Sequence, residues 1–472
     1  MDEGAGPVTR KGPIWVVALA IAGVACSGGG ATGRQDQAAP PTVTVTNSPT
    51  ATPTGPLASL SPTAKATAKL PGKGTGKGDG SVSVPVPTGF PIPNLFTAAE
   101  NKIGIYPDRI VMCTHAALSL AAVFQVNAAD LNAYWEYVNN ELGGIYGRRV
   151  EMHYADDNYG NTAGDVPQAY NECKARNPFI LLGGIGFDQI PGVRTLAEQG
   201  HQLYIHHIAR EDFSKKYSFS FFPSVETAGR RAAQWVLKAH PGQKIGVVYR
   251  ASENWEPGHA TFKDELAKNG VGLDADLPVD KNDTIYSTQI STLKTRKVKT
   301  VFLWENALTA VEIIRQAKAQ SYFPQWVIFP FNLITDTLKG TTVSPIPLEG
   351  IAMWPAYRPG QTGGSYSSYA AEIKLFEAKH SKYASGKRDD ITWMTWLGWH
   401  QMHSMLLACG KDCTRNRLVG LMQANLVKPV LGDCGFDFSK NGHVGGFDVN
   451  IFRVDEYGGT VGWSNVALCK RS

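Results

Sequence analysis

The sequence predicts an α/β protein of two Rossmann-like lobes, built on parallel sheets and joined by a hinge, with a cleft between them. Three observations carry this. From about residue 100, apolar β-prone runs alternate with patterns of helical period, which is the order of βαβ units. The plan then restarts near residue 225 without sequence repetition. With 472 residues, 43% of them hydrophobic, the chain can bury two cores and still carry extra segments.

Taken in order, the chain opens with a targeting segment. Arg10 and Lys11 precede the apolar stretch 14–24, which is well short of the roughly 20 residues of a membrane span. The following "GVACSGGG" resembles a bacterial lipobox, with Gly23 where such boxes usually carry leucine. In that reading residues 1–26 are a signal peptide and Cys26 becomes the lipidated first residue. An ordinary cleaved signal, or an anchor that is never cleaved, is the alternative. Residues 27–98 are Thr/Pro/Gly-rich without apolar periodicity and read as a disordered tether. Such a chain reaches on the order of 45 Å. Its "GKGTGKG" lacks the Gly-x4-Gly-Lys-Ser/Thr spacing and a preceding strand, so it is not a phosphate loop.

The first lobe begins with "DRIVMCTHA" (108–116), a strand, and "AADLNAYWEYVNNELGG" (128–144), a helix with Leu131, Trp135, Val138 and Leu142 on one face. "RRVEMHYADD" (148–157) alternates as a strand: Val150, Met152 and Tyr154 face one way, Arg149, Glu151 and His153 the other. "NPFILLGG" and "HQLYIHHI" (201–208) continue the strands, so the sheet should be parallel. In the second lobe, residues 223–240 form a helix closed by Pro241 and Gly242. Strands are expected at 244–250, 299–305, 325–331 and 350–354, with helices between them. Two further helices follow, the second carrying Trp393, Trp396 and Trp399 at core-facing spacing. The tail 434–454 reads as a turn-rich β hairpin. Lobe 1 is thus expected over 99–224 and 357–430, and lobe 2 over 225–356 and 431–472.

Without Cys26, six cysteines remain, an even set that suggests three disulfides in an exported protein. Fifteen pairings are possible. Neighbourhood favours Cys409–Cys413 and Cys434–Cys469, leaving Cys113–Cys173. A zinc site on Cys409 and Cys413 with His400 and His403 is the alternative, though its spacing fits no standard pattern.

At this point the chain resembles a known family, the type 1 periplasmic binding proteins, specifically the branched-chain amino-acid class of ABC-transporter substrate-binding proteins. The carriers are "IYPDRIVMCTHAALSLAA", "YVNNELGGIYGRRVEMHYADDNY", "LLGGIGFDQIPGVRTLAEQG", "FFPSVETAGRRAA" and "KIGVVYRASENWEPG", over residues 101 to about 358. The resemblance implies a small-molecule ligand held between the lobes, no cofactor, and an ABC-type permease as partner. A receptor domain of the same fold, or a secreted α/β enzyme, are the rival readings. A transporter-gene neighbourhood would argue against the first, and substrate turnover would mark the second.

Candidate ligand-binding residues lie at strand ends. In the turn 184–188, a dinucleotide fingerprint would need glycine where Gln189 stands. Gly184, Ile185, Gly186, Phe187 and Asp188 instead suit a small anion at a helix start, with Asp188 as N-cap. In the resembling family this turn helps hold the ligand's carboxylate, and Phe187 stands near the position where a polar residue is usual. "CTHAALS" offers Thr114, His115 and Ser119, with Ala117 to Ser119 facing the cleft by the same resemblance; His115 is equally readable as a histidine satisfied by its neighbours. In lobe 2, Trp255 is placed to stack on a ligand and Glu305, beside Asn306, to pair with an ammonium. The plainer account makes Trp255 a packing residue and Glu305 a loop charge. No metal site is expected: a calcium loop from Asp156 would end at Pro167. Hydrolase and zinc-protease signatures are absent. The net charge of +5 gives no case for nucleic acid; contact with a membrane would run through the lipid anchor.

Overall fold

A computed structural model describes residues 88–120, 127–183, 186, 188–206, 210–211, 214–330, 347–354, 357, 360, 369–426, 438, 443–446, 449–454 and 463–467. The expected signal and Cys26, most of the tether, Gly184, Ile185, Phe187, Cys434 and Cys469 lie outside the described residues.

Two sheets form, as the alternating pattern predicts. The first contains β1 (Arg109–Ala116), β2 (Arg149–Asp156), β3 (Ile180–Leu182), β4 (Tyr204–His206), β5 (Ser218–Pro223) and β11 (Val444–Gly446). Its order is β11-β5-β4-β3-β1-β2, with every pair parallel. The second contains β6 (Ile245–Arg250), β7 (Ala275–Val279), β8 (Thr300–Trp304), β9 (Gln325–Phe329), β10 (Leu348–Ala352), β12 (Asn450–Val454) and β13 (Trp463–Ala467). Its order is β13-β12-β10-β9-β8-β6-β7, parallel except that β12 pairs antiparallel with both β10 and β13.

The helices follow from their caps and faces. In α1 (Ala128–Glu141) the Asn127 side chain accepts from the Ala129 and Asp130 N–H groups, and Asp130 reaches back to the Asn127 N–H. This reciprocal cap satisfies backbone donors that no helix can satisfy internally. The buried face carries Leu131, Tyr134, Trp135 and Val138. It packs on α9 (Asp390–Cys409), where Tyr134 meets Trp396 edge-on at 4.8 Å. Trp393, Trp396 and Trp399 are all buried there, as their spacing suggests. In the second lobe Trp304 stacks on Phe329 at 4.2 Å, and Trp255 stands edge-on to both.

Cys113–Cys173 joins β1 to α2 (Asp165–Ala175), and Cys409–Cys413 clips the end of α9. Both pairings agree with the neighbourhood argument, and the second leaves no thiolate there for zinc.

Three expectations need correction. The tail is not a hairpin: β11 pairs with β5 in the first sheet and β12 with β10 in the second. The segment from residue 431 therefore contributes to both lobes. The tether does not extend to residue 98. Phe96 is buried, and the Leu95 and Phe96 N–H groups donate to Asn416 Oδ1 in α10 (Arg415–Gln423), at 3.0 and 2.9 Å. "FPIPNLF" carries aromatic groups, Phe90 and Phe96, that the rest of the tether lacks. Asp188 is not a helix cap: α3 (Ile190–Gln199) starts after Gln189, with no side-chain cap and a proline in its first turn.

Candidate functional site

In each sheet the carboxyl ends of the parallel strands carry the polar residues, and the register brings them together. Tyr249 of β6 lies opposite Trp304 of β8, so the next residues, Arg250 and Glu305, stand side by side. Arg250 Nε donates to Glu305 Oε1 and Oε2 at 3.0 and 3.2 Å. Arg250 Nη1 donates to Asp188 Oδ2 at 2.6 Å. Asp188 Oδ1 accepts from Trp255 Nε1 at 3.0 Å. Asp188 belongs to the first lobe and the other three to the second, so this cluster spans the two.

Burial works against the charge on Arg250, but Glu305 and Asp188 outweigh it and hold the guanidinium pKa above its ordinary value. Burial pushes the Glu305 carboxyl up, and Arg250 offsets part of that. Glu305 Oε2 also accepts from the Asn306 N–H and Nδ2, at 2.7 and 3.1 Å. Asn306 Oδ1 caps α7 (Ala307–Ala319) by accepting from the Thr309 N–H at 3.0 Å.

A second network lies beneath the first-lobe turn. His115 Nδ1 is 2.6 Å from Asp157 Oδ2, and His115 Nε2 is 2.8 Å from the Tyr204 hydroxyl. Burial, with Asp157 nearby, raises the Tyr204 pKa well above the usual phenol value. The phenol therefore keeps its proton, and the carboxylate beside Nδ1, an acceptor, calls for an imidazole hydrogen there, facing Asp157. Gln189 Nε2 donates to the same Asp157 oxygen at 3.2 Å. Adjacent residues of one turn thus face two ways: Gln189 inward to Asp157, Asp188 across to Arg250.

The glycines of the turn are dictated by close approach. A Cβ at Gly183 would lie 2.3 Å from His206 Cβ. Gly186 has φ +126°, and a Cβ there would lie 2.3 Å from Gln189 Nε2. Under the strand ends is a small cavity of about 30 Å³, lined by Thr114, Gly183 and His206 with Leu131, Phe222 and Trp399 among its apolar walls.

The structure therefore brings Asp188, Trp255 and Glu305 together, with Asn306 supporting Glu305. Thr114 is buried and donates to the Leu182 carbonyl at 3.1 Å, and His115 is enclosed by Asp157 and Tyr204. Ala117 is buried. Ser119 is exposed and donates to Asn158 Oδ1 at 2.8 Å. Sequence reasoning missed Arg250, Asp157 and Tyr204. Arg250 had a signal, a lone charge ending the apolar run "KIGVVYR".

A family model described as periplasmic binding protein matches residues 119–460. No curated protein sequence matches the chain. Among solved structures, the chain is similar to a fatty acid ABC transporter substrate-binding protein from Thermomonospora curvata, at 18% identity and TM-score 0.62, covering 78% of this chain and 94% of that one. It is similar to a substrate-binding periplasmic protein from Ralstonia solanacearum, at 16% identity and TM-score 0.60, covering 73% and 97%. A third is an ABC transporter substrate-binding protein from Desulfitobacterium hafniense in complex with Leu, at 16% identity and TM-score 0.56, covering 76% and 100%. At these identities the likeness is one of fold.

Proposed function

The chain belongs to the periplasmic binding protein family, and from that premise we propose that it captures a small polar or amphipathic solute between its lobes and passes it to an ABC-type membrane permease. The observation that carries this reading is the meeting of Asp188 from one lobe with Arg250 and Trp255 from the other, at the carboxyl ends of both sheets. Charged and polar donors gathered there are what a small solute needs for orientation. Solutes with a carboxylate are favoured further by the similar proteins, one a fatty acid binder and one holding Leu. Among the described residues around Asp188, Arg250 and Trp255 no nucleophile is paired with a base, which favours binding and release over turnover. Cys26, lipidated, would tether the protein to the outer face of the membrane through the segment that follows it.

A thermal-shift screen of the full chain against a broad solute library tests the reading. A solute at a hundred times its Kd adds about 2.7 kcal/mol of stability, enough to raise Tm measurably. A library of amino acids, organic acids, amines and sugars that leaves Tm unchanged throughout would end it.

A further inference from the structure

We propose that the second lobe contains a preformed carboxylate receptor made of Arg250 and Trp255, that Asp188 occupies it in the unliganded protein, and that the solute is an organic monocarboxylate and not an α-amino acid. This rests on the solute-binding reading above and narrows it.

The geometry is that of a received carboxylate. One Asp188 oxygen accepts from Arg250 Nη1 at 2.6 Å and the other from Trp255 Nε1 at 3.0 Å. Two donors, one to each oxygen and one of them cationic, read a planar carboxylate well. Neither donor owes its position to Asp188. Glu305 fixes the guanidinium from behind through Nε. Trp255 is fully buried, and its carbonyl accepts from Trp304 Nε1 at 2.6 Å. Asp188 is the movable half: it stands in a turn, caps no helix, and its side chain is 20% exposed. A solute carboxylate entering the receptor remakes the same two bonds, while Asp188 returns to water. Donors already in place spare the solute the ordering cost of assembling them.

Among the described residues beside Arg250 and Trp255 in the second lobe, an α-ammonium has no comparable place. Glu305 is fully buried, and both its oxygens are taken, by Arg250 and by Asn306. An ammonium beside Arg250 would meet a cation, with only Asp188 to balance it. A zwitterion inserted between Arg250 and Asp188 is therefore the rival, and it makes the opposite demand: it needs Asp188, whereas a monocarboxylate competes with it.

Calorimetry on the full chain separates the two, with hexanoate, phenylacetate, L-norleucine (hexanoate plus an α-ammonium) and hexylamine as probes. Asp188→Ala should bind hexanoate or phenylacetate at least tenfold more tightly than the parent. On that background Trp255→Phe, which keeps the ring and removes the N–H, should weaken binding tenfold or more. Arg250→Lys keeps a cation against Glu305, removes the fork, and should do the same. Thermal unfolding of each variant is recorded; if Arg250→Lys does not fold, Trp255→Phe carries the test. The proposal fails if Asp188→Ala weakens or abolishes binding, if L-norleucine binds the parent more tightly than hexanoate, or if neither carboxylate binds Asp188→Ala. A neutral or cationic solute found by the library screen, bound equally by the parent and Arg250→Lys, would overturn the receptor while leaving solute capture standing.

Discussion

His115 Nδ1 lies 2.6 Å from Asp157 Oδ2, and neither side chain is exposed to solvent. Asp157 also accepts from Gln189 Nε2 and from the Tyr159 N–H. One carboxylate therefore ties β1, the segment after β2 and the start of α3 together. Asp157→Ala should leave three donors without their acceptor, at a cost of roughly 2–4 kcal/mol. Urea unfolding measures it. A loss under about 0.5 kcal/mol would mean that water replaces the carboxylate at no expense.

Gly186→Val should disturb the same network from the other side. Its φ of +126° suits glycine alone, and the added Cβ would push the Gln189 amide off Asp157. The expected destabilisation is roughly 1–3 kcal/mol with a normal circular dichroism spectrum. Asp188 is placed by the same turn, so its displacement should free Arg250 and Trp255 and tighten carboxylate binding. Unchanged affinity in calorimetry would make the turn a simple connector.

The two disulfides should differ in worth. Cys113 and Cys173 are 60 residues apart, Cys409 and Cys413 only 4. On loop entropy the first contributes about 4 kcal/mol and the second about 2. Paired alanine variants, compared by urea midpoint, check the order. A larger loss from the short loop would show that chain entropy is not the source.

His403 should make the fold acid-sensitive. Burial, helped by His400, holds its pKa at about 3, against an ordinary 6.5. The Tyr134 hydroxyl, which keeps its proton, lies within hydrogen-bond distance of His403 Nδ1, at 2.9 Å. Between the two pKa values the unfolded chain carries the extra proton. This contribution to stability is therefore complete above about pH 6.5 and is lost as pH falls towards 3. His403→Gln should remove up to about 1.4 kcal/mol per pH unit from the slope between pH 4 and 6. Parallel stability profiles for parent and variant would refute the assignment.

Cys26→Ala should release the protein from membranes into the soluble fraction of the cell envelope, and labelling with a fatty-acid analogue should disappear with it. Membrane association that persists in the variant would assign the anchor to the apolar stretch 14–24.

The strands and helices of period-true segments were legible: β1, β2, β6 and β8 fall within a residue or two of their expected bounds. β7 was not, because "ADLPV" is a short edge strand holding Asp276 and Pro278, residue types that strands disfavour. β5, "SFSFFP", alternates serine with phenylalanine, a pattern that promises one wet face, whereas the strand is wholly buried. The tail deceived for a different reason. "VGG" and "NIFRV" are each strand-like, but nothing local says which sheet a strand joins. At the site, Asp188, Trp255 and Glu305 could be named from their places after strands. The partner that Asp188 and Glu305 share showed only as a charge after an apolar run, since Arg250 acquires its meaning from the register that sets it beside Glu305.

The division of β11 and β12 between the two sheets bears on synthesis. A chain emerging from its amino terminus has made β1–β5 and β6–β10 long before residues 444–454 appear. Until then β5 and β10 are open edges, each with a row of unpaired backbone donors and acceptors able to template pairing with another nascent chain. Residues 444–454 then cover both edges together. A nascent chain stalled near residue 426 would thus present two adhesive margins, which makes the interval before residues 444–454 emerge the one in which a holding chaperone matters most.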